Sequence, residues 1–203
     1  MKTDNSARTL WMAQTAILAA VIILMAFTPL GYLRVGALSI TFLPIPVVVG
    51  AILINPAAGA VLGGVFGLTS FAQCFGIDPF GTALFAISPI LTFILTMVPR
   101  ILMGLLVGLI FQALVKIDRT RVWSYAVASL SGALLNTVLF VGGLVWFFGN
   151  SEYLRQFGDS ILAILGVLIT VNALVEAIVT MVIGTMITKA LSKVIISRNT
   201  QNF

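Results

Sequence analysis

The sequence contains no histidine and a single cysteine, Cys74. Without imidazole there is no His-type general base and no serine-histidine triad, a lone thiol forms no internal disulfide, and neither zinc nor copper finds a credible ligand set. Charge is scarce too. Charged residues make up 8% of the 203 residues and apolar residues 60%, where soluble domains run at about 25% and roughly 45–50%. The chain therefore reads as an integral membrane protein. Of its six acidic residues only Glu176 falls inside a long apolar run, so no carboxylate pair is available for acid/base work within a bilayer. The glycine-rich stretch GAVLGGVFGL (59–68) is followed nowhere by the Gly-Lys-Ser/Thr ending of a phosphate loop, which excludes ATP binding by a Walker motif. No charge ring or filter-like segment suggests a channel. No catalytic residue, metal or cofactor is expected.

Six apolar runs are present, at about 9–28, 40–54, 57–73, 87–115, 122–148 and 161–189; a spanning helix needs about 20 such residues, somewhat fewer if flanking groups snorkel. The expected architecture is an all-α, six-helix membrane domain covering residues 1–203. The first run is long for a signal peptide and lacks a clear small-x-small cleavage site, so it reads as a retained helix. Runs two and three are short, separated by Asn55 and Pro56, with Pro44 and Pro46 near the start of the second. Two tilted spans and one re-entrant hairpin both fit. Lys2, Arg8, Lys116, Arg119, Arg121, Lys189, Lys193 and Arg198 fall on one side, which the positive-inside rule makes cytoplasmic, together with both termini. The other side carries Arg34 and Arg155 against Asp78, Glu152 and Asp159. The net charge of +5 is thus an orientation signal; no nucleic-acid partner is expected, and membrane lipid is. The outer loops bring Tyr32, Arg34, Asp78, Tyr153 and Arg155 first to an arriving solute, although interfacial aromatics and solvated charges look the same.

Small residues recur at helix-contact spacing: Ala16 and Ala20, then Gly59, Gly63 and Gly67, then Gly104 and Gly108. Such faces let backbones approach closely where lipid supplies no hydrophobic drive. The glycine runs are expected to pack within the chain.

Counting along the spans at ~1.5 Å per residue puts Arg100, Asn136, Asn172 and Glu176 at similar depth, with Asn172 and Glu176 on one helix face through their i, i+4 spacing. Two accounts of this polar cluster stand. In one, Arg100 pairs with Glu176 and the amides satisfy the remaining donors, fixing helix register. In the other, the cluster is the floor of a solute site where the planar guanidinium meets a carboxylate or amide.

In order and spacing, Ala16 and Ala20 on the first span, GYLRVGALSITFLPIPVVVG (31–50), INPAAGAVLGGVFGLTS (54–70) and VPRILMGLLVG (98–108) resemble the substrate-binding S components of energy-coupling factor (ECF) vitamin transporters. GYLRVGALSITFLPIP looks closest to the pantothenate-specific type. The riboflavin type typically carries an acidic residue before Ile-Pro, where this chain has Thr41, Phe42, Leu43 and Pro44. The resemblance implies a cell-membrane, multi-pass protein that captures a small vitamin from outside. It would dock on a transmembrane coupling subunit that carries two cytoplasmic ATPase subunits. Carried over, Ala16 and Ala20 would be docking residues, and Tyr32 and Arg34 would lie in the gate loop. Pantothenate suits one arginine with several amides, so Arg100, Asn136, Asn172 and Glu176 become candidate contacts. A riboflavin or pyridoxine-type ligand is the alternative, with Trp146, Phe147 and Phe148 as a source of stacking surface. The alternative of another class is a membrane-embedded structural or interaction protein whose polar cluster only fixes packing.

Overall fold

The computed structural model describes residues 2–35, 38–118, 122–155 and 171–200, with side chains described for 7–32, 41–118, 122–154 and 173–192. Its helices are α1 (Lys2–Ala26), α2 (Pro44–Leu53), α3 (Pro56–Gln73), α4 (Pro79–Ile87), α5 (Pro89–Leu114), α6 (Val122–Phe148), α7 (Glu152–Arg155) and α8 (Val171–Thr200). The loop after α1 holds an antiparallel hairpin, β1 (Tyr32–Val35) and β2 (Leu38–Thr41), in a register that sets Tyr32 opposite Thr41. The helical expectation thus holds with one departure, this hairpin.

Proline punctuates the chain. Pro44, Pro56, Pro79 and Pro89 each open a helix, at the position where the missing N–H is not needed and the fixed φ suits the turn. Asn55, Asp78 and Ser88 precede three of them as N-caps, accepting from the amides of Ala58, Gly81 and Leu91, which satisfies donors a helix start leaves orphaned. Gly76, at φ +104°, turns the chain between α3 and α4 in a conformation that only glycine adopts freely.

Among the described residues, four helices are long and apolar enough to cross a membrane: α1, α5, α6 and α8. The ten residues of α2 cover only ~15 Å, about half of a bilayer core. Every residue from Pro44 to Ile52 is buried, as expected of a helix that is apolar all round. It packs on α1, α3, α5, α6 and α8, and Val47, Val48 and Ala51 join Leu62, Met103 and Val107 in the main core. A second cluster, Leu84, Leu95, Leu144, Phe148 and Leu154, joins α4, α5 and α6 to α7.

The most extensive contact is α3 on α5, and glycine makes it. A Cβ at Gly59 would run into the Gly104 carbonyl, at Gly63 into the Arg100 carbonyl, and at Gly67 into the Thr96 carbonyl. Three bare backbone positions on α3 therefore lie directly on the stretch of α5 that carries the membrane-embedded arginine. The glycine runs pack inside the chain, as their spacing implied.

Candidate functional site

Pro99 lies inside α5 and has no N–H to give, so the carbonyl four residues back, at Leu95, has no helical donor. Arg100 fills that gap: its Nη1 donates to the Leu95 carbonyl at 2.8 Å. The Val-Pro-Arg sequence is thus a single device, in which proline frees a carbonyl within the helix and the next residue returns to take it. The guanidinium also lies 4.3 Å from the Phe140 ring centroid and 5.4 Å from that of Phe66.

These contacts answer why a guanidinium is tolerated there. Insertion scales put its cost at about 2.5–3.5 kcal/mol at a helix centre. A charge-assisted hydrogen bond returns about 1.5–3 kcal/mol and a cation–π contact about 0.5–2 kcal/mol. The sums are comparable, so no ion pair is required to keep Arg100 in place. None is made: among the described residues no ion pair joins it to Glu176. Glu176 instead accepts from Asn136 Nδ2 at 3.1 Å, and the Thr41 backbone amide faces the same carboxylate. Of the two accounts of the cluster, the one that pairs Arg100 directly with Glu176 does not match this geometry. Depth had matched the two charges, but Pro99 gives the arginine an acceptor on its own helix.

Arg100, Asn136 and Glu176 share one cavity of about 180 Å³. Tyr32 and Thr41, the facing pair of the hairpin, line it from one end, and Asp78 lines it from the loop before α4. Phe66 and Ser70 come from α3, Thr92 and Thr96 from α5, and Phe140 from α6. Two buried polar atoms of these lining residues have no hydrogen-bond partner among the described residues, Arg100 Nε and Asn136 Oδ1. A buried donor or acceptor left unmatched costs about 1–3 kcal/mol. An unmatched donor and an unmatched acceptor therefore belong to two side chains that line the cavity. Outside the spans, burial raises the Tyr32 phenol above its usual range, with the Ser70 hydroxyl, 3.5 Å away, and the Arg100 charge opposing. Burial, then the Asp78 charge, pushes the Cys74 thiol up to about 11, which leaves it a neutral, unreactive wall group.

A small cavity lined by both polar and apolar side chains inside a helical membrane protein is the setting in which relatives become informative. The sequence model of the family described as ECF transporter, substrate-specific component, matches residues 11–188. This chain belongs to that family. It is a multi-pass membrane protein, the substrate-binding component of a transporter and not an enzyme. It is 30% identical over 162 residues to the pantothenic acid transporter PanT of Lactococcus lactis subsp. cremoris, a match covering 75% of this chain and 78% of that protein. It is also 30% identical over 138 residues to the pantothenate transporter PanT of Leuconostoc mesenteroides subsp. mesenteroides, covering 64% of this chain and 66% of that one.

Within this S component, the candidate residues separate into groups. Arg100, Asn136, Glu176 and Tyr32 meet at the cavity. Arg34 has its backbone in β1, opposite Ser39, and Asn172 has its backbone in α8; their side chains lie outside the described residues, as do those of Arg155 and Asp159. Ala16 and Ala20 are exposed on α1, away from the buried Thr15, Ile22 and Ala26. The aromatic run near the end of α6 does not line the cavity: Trp146 is 86% exposed, and Phe148 is packed into the cluster with Leu84 and Leu154. The stacking surface that favoured a riboflavin-type ligand therefore lies outside this cavity. Phe66, Ser70, Thr92, Thr96 and Phe140 were not among the candidates, although a signal existed: Thr92, Thr96 and Arg100 recur every four residues, a polar stripe on one face of α5.

Proposed function

We propose that this S component captures pantothenate from outside the cell and delivers it through an ATP-driven ECF coupling module. The observation that carries the proposal is the unmatched pair on the cavity wall, Arg100 Nε and Asn136 Oδ1. Pantothenate offers a carboxylate to the first and an amide N–H or hydroxyl to the second, in a body small enough for the cavity. The names of the two PanT relatives support the same choice. Calorimetric titration of the detergent-purified protein is expected to give tight one-to-one binding of pantothenate, with no heat from riboflavin or pyridoxine. Binding of either of those instead moves the protein to another vitamin. No heat from any of the three, in folded protein, leaves the cluster as packing only.

In this reading the chain has six membrane segments, with α2 as a half-length helix wrapped by the others and both termini in the cytoplasm. The distribution of lysine and arginine supports that orientation. The exposed small-residue face of α1 would meet the transmembrane coupling subunit, which carries two ATPase subunits. Ala16→Leu/Ala20→Leu is expected to abolish cellular uptake while pantothenate binding persists; loss of binding as well would place those alanines in internal packing. In the same strains, lacking Cys74, an impermeant thiol reagent should label Ser151→Cys and spare Lys116→Cys. The opposite pattern rejects the orientation.

A further inference from the structure

Two cavity-lining groups of opposite charge, Arg100 and Asp78, are not joined by an ion pair among the described residues, and their surroundings differ. Arg100 lies midway along α5 between two phenylalanine rings. Asp78 is held at the start of α4: its Oδ2 accepts the Gly81 amide at 2.7 Å. Around it, Thr82 Oγ1 donates to the Asp78 carbonyl and accepts the Gly76 amide. The carboxylate is fixed through one oxygen, and Oδ1 makes no hydrogen bond to the described residues. Gly63 of α3 lies against the Arg100 carbonyl, whereas Asp78 follows the end of that helix at Gln73, so the two charges stand at different levels along α3. The cavity is thus polarised, with the guanidinium in its depth and a rigid carboxylate toward the α3–α4 turn.

We propose that Asp78 is a specificity-determining residue, which accepts hydroxyls at the end of the ligand opposite its carboxylate and excludes ligands carrying a second anionic group at that end. The role rests on the proposed substrate. A ligand whose carboxylate lies on Arg100 directs its far end toward Asp78, and pantothenate ends there in a primary hydroxyl. A phosphate monoester on that hydroxyl would bring one to two further negative charges against a carboxylate that has no ion pair among the described residues. Repulsion between like charges discriminates against the wrong ligand, and no steric gate is needed for it.

The test is a ratio measured within one protein. Wild type and Asp78→Asn are titrated with pantothenate and with its phosphate monoester on the primary hydroxyl. Asparagine keeps an oxygen for the Gly81 amide and is an equally good N-cap, so it removes charge with little change of geometry; Asp78→Ser serves if the first variant does not fold. Wild type is expected to prefer pantothenate at least a hundredfold, and the substitution to narrow that preference at least tenfold. An unchanged ratio, equal binding of both ligands by wild type, or loss of pantothenate binding by both folded variants overturns the role of Asp78 while leaving pantothenate as the substrate. Failure of wild type to bind pantothenate overturns the substrate assignment and the role of Asp78 with it.

Discussion

Replacing Arg100 with lysine is expected to weaken pantothenate binding at least about tenfold, or ~1.4 kcal/mol, in a protein that still folds. Lysine preserves the charge but not the shape. Arginine uses Nη1 on the Leu95 carbonyl while its plane lies over Phe140 and its Nε stays unmatched. One planar group thereby anchors itself and still has an N–H unmatched among the described residues, which the proposed ligand carboxylate would take. An ammonium is a compact point charge, and to reach the Leu95 carbonyl it must turn away from the cavity. Titration of the two proteins side by side decides the matter. Equal affinities would mean that the guanidinium serves packing alone.

Gly63→Ala is expected to damage both stability and binding, because the added methyl would meet the carbonyl oxygen of Arg100 itself. Backbone on α5 cannot swing aside as a side-chain end does, so the two helices must separate. Overpacking typically costs about 1–3 kcal/mol, more than the ~1 kcal/mol that alanine gains over glycine in a helix. The clash wins, and the arginine moves with its backbone. Gly64→Ala is the control: its Cβ would meet nothing nearer than Ile101 Cγ1 at 3.7 Å, ordinary contact, and the helical gain should prevail. Thermal unfolding in detergent should show Gly63→Ala melting several degrees below wild type and Gly64→Ala at or above it. Indistinguishable melting of the two variants would contradict the close α3–α5 contact.

These two positions also mark what was legible in the sequence. The run at 57–73 matches α3 to within a residue, and the run at 122–148 coincides with α6, because long apolar stretches ended by charge or proline leave little choice of boundary. Helix α4 was missed. Asp78-Pro79 is a cap followed by an N1 proline, yet the polar turn before it made the segment look like loop. The hairpin was missed as well: Ile40 of β2 was counted into the second hydrophobic run, where composition does not distinguish strand from helix.

The site was half legible for a related reason. Counting residues places side chains at a depth but leaves their rotation about the bundle undetermined. Arg100, Asn136 and Glu176 were found by depth and do line one cavity. Their pairing was left open between two accounts, since opposite charges at one level invite a salt bridge. The information that decides it, a proline one residue earlier, is local and lies in the backbone.

That proline makes the charge and the helix interdependent. Shortening Arg100 to alanine would remove a cation from the bilayer and in the same stroke leave the Leu95 carbonyl without a donor, so the expected relief from desolvation is cancelled by a new unsatisfied acceptor. Restoring an N–H at position 99 would close that gap but create a competitor for the very oxygen that orients the guanidinium. Neither residue has an independent energetic value; they behave as a two-residue latch in which each change reads out only in the presence of the other.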